Sequence, residues 1–519
     1  MILYIFYGVL FILAIRLFKL QAYPTTVVTS EFNDNQLEST SEFRYLIYDT
    51  NCNELLQSST EYVVVFNVRP FSLNSYKKSI ESLIALNYIM KEEIKDFNFQ
   101  GVIEGSGKSY YKISEEAYNK INRLKSIKGI YTYKKTTKKN SYYWNIVNYL
   151  GTIELDKEYK KGSLQEVIKQ TILYNKIPKR EFELNKDSIY EDRDIINTDN
   201  NKNIKLTLDY RLQDSIDNVI NSGKFNSLDN IGVILMESKT GKIRVLTEKK
   251  ESEANICIGA GGIGYEPGSI FKLITLIPAL EDGLITMNDV YNCNGSVCND
   301  KNVHGYINVT EALIKSCNDT FSKIGQKVGY NELMRYCGEL NLFDKVLNLE
   351  DEVEGVKPKE GVGLSNISIG QCLTVTPVQM LGAVNSIVNN GEYVKPYIID
   401  GILDNEGNII EEFNTYKKQV FSKITSLQIK RAMEDVVEKG TGQYAQVEGV
   451  TIGGKTGSAT SGKGNSTHGW FIGYFELNNI EYTMIVFVPD MIDTDEGIEL
   501  GGGNTAAPIF SQIVKSLIN

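Results

Sequence analysis

Basic charge is what this chain is short of. Its 519 residues carry 55 Lys and Arg against 65 Asp and Glu, a net charge of -10. A nucleic-acid partner needs a basic face to meet phosphate, so that class is excluded. The one basic cluster, "YKKTTKKNSYY" at 133–143, is expected to be a solvated hairpin or loop. Cysteine is odd in number, seven, and mostly scattered, which is not a disulfide framework. Histidine is nearly absent, with only His304 and His468. No internal repeat occurs. What remains is globular: 42% hydrophobic and 23% charged residues, enough chain for two or three domains.

The start, "MILYIFYGVLFILAIRLFKLQAY", is apolar from Ile2 to Ile15. That is short for a spanning helix and would suit a signal-peptide core. However, Arg16 and Lys19 can snorkel and extend the span through Leu20, and no Ala-x-Ala-like cleavage site follows. The expectation is an uncleaved single-pass anchor over residues 1–22. No Lys or Arg precedes it, so the positive-inside rule alone would leave the bulk of the chain in the cytoplasm. The chemistry described below asks for the opposite side.

Residues 23–200 alternate β-rich runs ("EYVVVFNV", "GIYTYKK") with polar helical ones, an α+β region that ends in the polar stretch "NTDNNKN" at 197–203. Beyond it, 204–519 opens with a short strand and an amphipathic helix closing on Gly223, followed by a hairpin, "IGVILMESKTGKIRVLTE". A long, mostly helical stretch spans 308–390. Strands return at "GVTIGGKTGSAT", "HGWFIGYFEL" and "EYTMIVFVP", and a helix from about Ala507 ends the chain. Helices lying between hairpin and later strands imply one central mixed sheet flanked by helices on both faces, so the class is α+β.

Chemistry gathers at three places. In "YEPGSIFKLITLIPALEDG" a serine and a lysine, Ser269 and Lys272, stand one turn apart ahead of an apolar helix. Ser269 could simply cap that helix. Ser-x-x-Lys is also common: Ser75/Lys78 and Ser109/Lys112 repeat it. "KSCND" supplies Ser316 and Asn318, and "GGKTGSAT" supplies Lys455, Thr456, Gly457 and Ser458. Each has a decoy, Ser72-Leu73-Asn74 and Lys239-Thr240-Gly241. A serine hydroxyl is a poor nucleophile without a base in reach, and a lysine on the same helix face becomes that base once desolvation depresses its pKa. Ser316 can relay a proton, Asn318 can hold Lys272 and a substrate amide, and Lys455 can attract a carboxylate. The backbone N–H groups of Ser269 and Ser458 are the natural oxyanion donors.

These three motifs, in this order, resemble those of penicillin-binding proteins and class A β-lactamases. The stretches "LTLDYRLQ", "YEPGSIFK", "EALIKSCN", "SIGQCLTVTPVQMLGAVNSIVNNG", "GGKTGSA" and "HGWFIGY" are similar to the transpeptidase domain of class B penicillin-binding proteins across 204–519. In 23–200 the resemblance is thin. There "FRYLIYDTNCNEL" resembles a degraded Arg-Gly-x-Ile-x-Asp-Arg-Asn-Gly motif of the dimerisation-type (pedestal) domain. The resemblance implies a membrane-anchored, extracytoplasmic serine transpeptidase with a β-lactamase-like fold. It would act on stem peptides ending in D-Ala-D-Ala, be inhibited by β-lactams, and work beside a membrane glycosyltransferase. No glycosyltransferase domain of its own is expected ahead of residue 200. No cofactor is required for the chemistry. Two other classes share features with it: a β-lactamase, for which no Glu-x-x-x-Asn loop is found, and a catalytically weak scaffold of the cell-wall machinery.

One further cluster stands apart, in "YNCNGSVCNDKNVHGYINVTEALIKSCN" at 291–318. Cys293, Cys298, Asp300 and His304 fall within twelve residues. A Cys293–Cys298 disulfide, a pair of free thiols with a helix-capping histidine, and a structural Zn²⁺ held by these four side chains are all consistent with that spacing.

Overall fold

The computed structural model describes residues 11, 13–16 and 35–518, apart from 75, 125, 140–143, 197, 251–254, 260–261, 299–302, 461–465 and 493–499. The expected anchor therefore lies almost wholly outside the described residues. No helix among the described residues is long and apolar enough to cross a membrane.

Two compact units form: residues 1–44, 58–139 and 175–199, and residues 45–57, 140–174 and 200–519. In the first, strand Ser58–Asn67 sits between Lys108–Ile113 and Ile130–Lys138, antiparallel to both. The basic cluster thus begins as strand, running to Lys138, with Tyr133 buried and Lys134 exposed on the opposite side of the strand. Helix Tyr76–Glu93 covers this sheet through Leu86 and Met90, which pack with Val64 and Phe66.

The second unit recruits two segments from early in the chain. Ile47–Tyr48 pairs parallel with Asn203–Leu206, and the Trp144 indole donates to Asp217. Cys52 takes φ 63 where the degraded motif aligns its final glycine.

Helix α1 (Tyr210–Ile220) is capped by Asp209, whose carboxylate accepts from Arg211 N and Leu212 N. The central sheet contains β1 (Gly232–Glu237), β2 (Ile243–Glu248), β3 (Gly453–Thr460), β4 (Ser466–Leu477) and β5 (Ile480–Ile492), in the order β2-β1-β5-β4-β3. All four pairings are antiparallel. The mixed sheet of this unit is instead the four-stranded one that holds Asn203–Leu206 and Ile399–Leu403. Tight connections between β1 and β2, and from β3 through β5, leave no room for the crossovers a parallel pair requires.

Strands β1 and β5 read "VILM" and "MIVFV" without alternation because both faces are covered. On one face lie α1 and α5 (Ala506–Ile518), packing Ile216, Phe510 and Ile513 onto Val233, Leu235 and Phe471. On the other, α4 (Pro377–Val388) is buried along its whole length and packs on β5. It is started by a Thr376/Gln379 capping box with Pro377 in its first turn. Two more helices, α2 (Lys272–Glu281) and α3 (Asn318–Val328), pack together beside it.

Candidate active site

Ser269 does not cap a helix. It lies in a 3₁₀ turn, Gly268–Phe271, that runs into α2, and no side-chain cap bond forms there. Gly268 has φ 54, and a Cβ on it would sit 2.4 Å from Ser458 O. Only glycine lets the backbone of the Ser269 turn lie against β3 this closely. That approach brings the backbone at Ser269 alongside that at Ser458, the two expected oxyanion donors.

Lys272 is fully buried, and its ammonium nitrogen has four oxygen neighbours. They are Ser269 Oγ at 2.9 Å, Ser316 O at 2.7 Å, Ser316 Oγ at 3.1 Å and Asn318 Oδ1 at 2.6 Å. Lys455, also fully buried, donates to Ser316 Oγ at 3.0 Å and to Thr456 O at 2.9 Å. Ser316 Oγ thus bridges two amines. Burial draws the Lys272 amine down to about 7, partly opposed by the Cys317 and Cys298 thiols. Lys455 falls well below its ordinary range, from burial first and the Lys272 charge second. Two ammonium groups on one hydroxyl in a dry site repel each other, so a neutral amine is the stable partner.

Ser316 reaches this position through an unusual backbone. Helix Val309–Ile314 closes with Ser316 N donating to Leu313 O and Cys317 N to Ala312 O, a Schellman arrangement. Its left-handed residue is Ser316 itself, at φ 56, where glycine is usual. Such a conformation costs about 1–3 kcal/mol and persists where its surroundings impose it. Here it aims the hydroxyl between the two lysines.

On β3, Gly457 stands opposite Trp470 in the pairing with β4, and Ser458 is exposed at the sheet edge. Ser458 Oγ accepts from Gly502 N at 3.2 Å, and Thr456 Oγ1 shares a hydrogen bond of 2.6 Å with Thr441. Thr441 and Gly502 carry no motif and were invisible to sequence reasoning. The decoys fall elsewhere. Ser109 and Lys112 lie on a strand of the first unit, and Ser72 to Asn74 belong to the same unit. Lys239 to Gly241 form the β1–β2 turn, where Thr240 binds Glu237.

With this geometry fixed, the family is decided by a match of residues 231–515 to the penicillin binding protein transpeptidase domain. The chain belongs to that family. Among its relatives, Stage V sporulation protein D of Bacillus subtilis is 30% identical over 348 residues, 60% of this chain and 53% of that protein. Peptidoglycan D,D-transpeptidase FtsI of Buchnera aphidicola (subsp. Schizaphis graminum) is 26% identical over 363 residues, 64% of this chain and 61% of that protein. The chain therefore spans little more than half the length of the curated relatives it matches. A peptidoglycan synthetase from Bifidobacterium adolescentis shares the fold at a TM-score of 0.66 and 18% identity, covering 93% of this chain and 96% of that one. Penicillin binding protein 3 of Mycobacterium tuberculosis, solved in complex with aztreonam, does so at 0.61 and 18%, covering 92% and 96%.

Behind the Ser316–Asn318 motif lies the cysteine cluster. No disulfide joins any of the seven cysteines. The ligand atoms of Cys293, Cys298, His304 and Cys317 lie within 4.8 Å of one another, the one such group among the described residues. Asp300 lies outside the described residues. Cys317, in the middle of the serine motif, stands where a fourth ligand would. Cys293 Sγ is 3.4 Å and Cys298 Sγ 4.0 Å from His304 Nδ1, and Cys298 Sγ is 3.8 Å from Cys317 Sγ. A tetrahedral zinc with Zn–S about 2.3 Å and Zn–N about 2.0 Å sets edges of about 3.8 Å between sulfurs and about 3.5 Å from sulfur to nitrogen. The donor set fits that ion. Sequence reasoning missed Cys317 because it sought ligands close along the chain, whereas Cys317 follows Cys298 by 19 residues. The signal was present, a thiol inside a catalytic motif.

Proposed function

We propose that this chain is a serine D,D-transpeptidase that cross-links peptidoglycan stem peptides ending in D-Ala-D-Ala. The observation that carries this reading is Lys272 Nζ at 2.9 Å from Ser269 Oγ, fully buried and held near neutrality. As the free amine, Lys272 takes the Ser269 proton while Oγ bonds to the carbonyl carbon of the penultimate D-Ala. The backbone N–H groups of Ser269 and Ser458 receive the oxyanion. Collapse breaks the amide bond. The leaving D-Ala nitrogen takes its proton through Ser316 Oγ, which is 3.1 Å from Lys272 and 3.0 Å from Lys455. An amine of a second stem peptide then attacks the ester, forms the cross-link and frees Ser269. Lys455 and Thr456 draw in the substrate carboxylate, Gly457 and Ser458 offer a strand edge to its backbone, and Asn318 holds its amide.

A β-lactam enters the same path and stays as the acyl adduct. The names of the relatives support this reading, since several are peptidoglycan D,D-transpeptidases, and penicillin binding protein 3 of Mycobacterium tuberculosis, which shares the fold, was solved in complex with aztreonam. With it come a membrane anchor at 1–22, a catalytic unit outside the membrane and a membrane glycosyltransferase as partner. A structural Zn²⁺ held by Cys293, Cys298, His304 and Cys317 belongs to the proposal. It would fix the back of the Ser316–Asn318 motif and take no part in the chemistry.

Fluorescent penicillin tests the reading. The protein should label stoichiometrically at Ser269 by peptide mapping, and Ser269→Ala should not label. An unlabelled wild-type protein would favour a scaffold. Label lost within seconds would favour a β-lactamase.

A further inference from the structure

Five consecutive backbone N–H groups converge on one buried carboxylate. Asp319 Oδ2 accepts from Asn294 N at 2.9 Å, Gly295 N at 2.8 Å and Ser296 N at 3.2 Å. Its Oδ1 accepts from Cys298 N at 2.8 Å and from Val297 N. The residue is fully buried. It sits in the first turn of α3, immediately after Asn318, where the helix dipole also favours a negative charge.

None of the catalytic motifs uses this residue, and capping does not explain it, because the N-cap of α3 is Cys317. The loop it gathers leads somewhere specific. Cys298 Sγ accepts the N–H of Asn318 at 3.2 Å, and Asn318 Oδ1 accepts from Lys272 at 2.6 Å. Asp319 thus grips the loop by its backbone, the loop grips Asn318 through a sulfur, and Asn318 grips the amine that faces Ser269.

We propose that Asp319 is a positioning residue for the transpeptidase site, clamping loop 294–298 onto the start of α3 so that Asn318 holds Lys272 on Ser269. The clamp consists of chain atoms only. A metal at the thiols would fix the side-chain edge of the same loop, whereas Asp319 fixes its backbone, and the two roles are separable. A carboxylate offers about four lone-pair directions and no donor, so it suits a ring of N–H groups. An amide of the same shape offers one oxygen, and its NH₂ would face other donors. Asp319→Asn is therefore a nearly isosteric cut through the clamp.

The kinetic test rests on the transpeptidase reading. The second-order acylation constant for a fluorescent penicillin is measured per acylable site, so that misfolded protein does not count. Asp319→Asn should acylate at least about ten-fold more slowly, as expected when residues act as a unit. In the Asn318→Ala background it should add no further loss. Excess zinc should not restore the rate. A wild-type rate in Asp319→Asn, an additive double variant, or full rescue by zinc would each overturn the inference.

Amide hydrogen exchange on the wild-type protein, zinc-loaded and chelator-treated, needs neither the variant to fold nor the site to acylate. Protection at residues 294–298 and at Asn318 should survive chelation. Fast exchange there in the chelated protein would overturn the clamp. If the wild-type protein failed to acylate at all, the transpeptidase reading would fall while exchange still decided the role of Asp319.

Discussion

Lys272 should make acylation depend on pH in a way that can be worked out in advance. Its amine sits at about 7, where burial has drawn it from 10.5. Only the free amine can accept the Ser269 proton, so the rate follows the neutral fraction. That fraction is about a tenth at pH 6 and about nine-tenths at pH 8. The second-order constant for a fluorescent penicillin should therefore rise about ten-fold across this window and level off above it. Stopped-flow or quenched-gel acylation at constant ionic strength measures it. The same depressed pKa bears on stability: between about 7 and 10.5 the unfolded chain binds more protons at this site than the folded one. Stability contributed here is thus lowest below pH 7 and is gained as pH rises through that window. A flat acylation rate from pH 6 to 8 would refute the base assignment. So would a Lys272→Ala protein that kept both the rate and its pH profile.

Lys455→Ala should lower acylation by orders of magnitude while the protein stays folded, read from the same assay beside a thermal melt, since Lys455 holds Ser316 Oγ at 3.0 Å and residues that act as a unit fail together. Gly268→Ala should destabilise by about 1–3 kcal/mol and slow acylation, because its Cβ would meet Ser458 O at 2.4 Å with φ 54; chemical denaturation and penicillin labelling report the two effects. Protein purified without chelator should hold about one zinc per chain, and His304→Ala or Cys317→Ser should lower both metal content and Tm, as elemental analysis and calorimetry would show.

How much of the site could be read along the chain differs residue by residue. Ser269 and Lys272 were legible because one helical turn is a local distance, and Lys455 to Ser458 because glycines mark a strand that others approach closely. The central sheet was legible as strands but not as pairings. "VILM" and "MIVFV" announce burial on both faces, yet nothing in them says that β5 lies between β1 and β4 and runs antiparallel to both. The two early segments that join the second unit were not legible at all. Ile47–Tyr48 pairs with Asn203–Leu206 across more than a hundred and fifty residues, and two residues of strand carry no local mark of that partner.

The sequence by itself supplied the chemical groups on which the proposed reaction rests. Two serines, two lysines and an asparagine in three short motifs are chemical identities, and chemistry needs identities before distances. The tertiary structure alone decided how those groups act together. Only folding buries Lys272 and Lys455, and burial, a property of the surroundings, is what turns a charged amine into a base. Folding also chose Cys317 to stand with Cys293, Cys298 and His304, and set five amides of one loop on Asp319. Those contacts join segments that meet only when the hairpin from Val290 to Asn308 packs on α3. Ligand geometry and dielectric are properties of space around a residue, and a linear pattern holds neither.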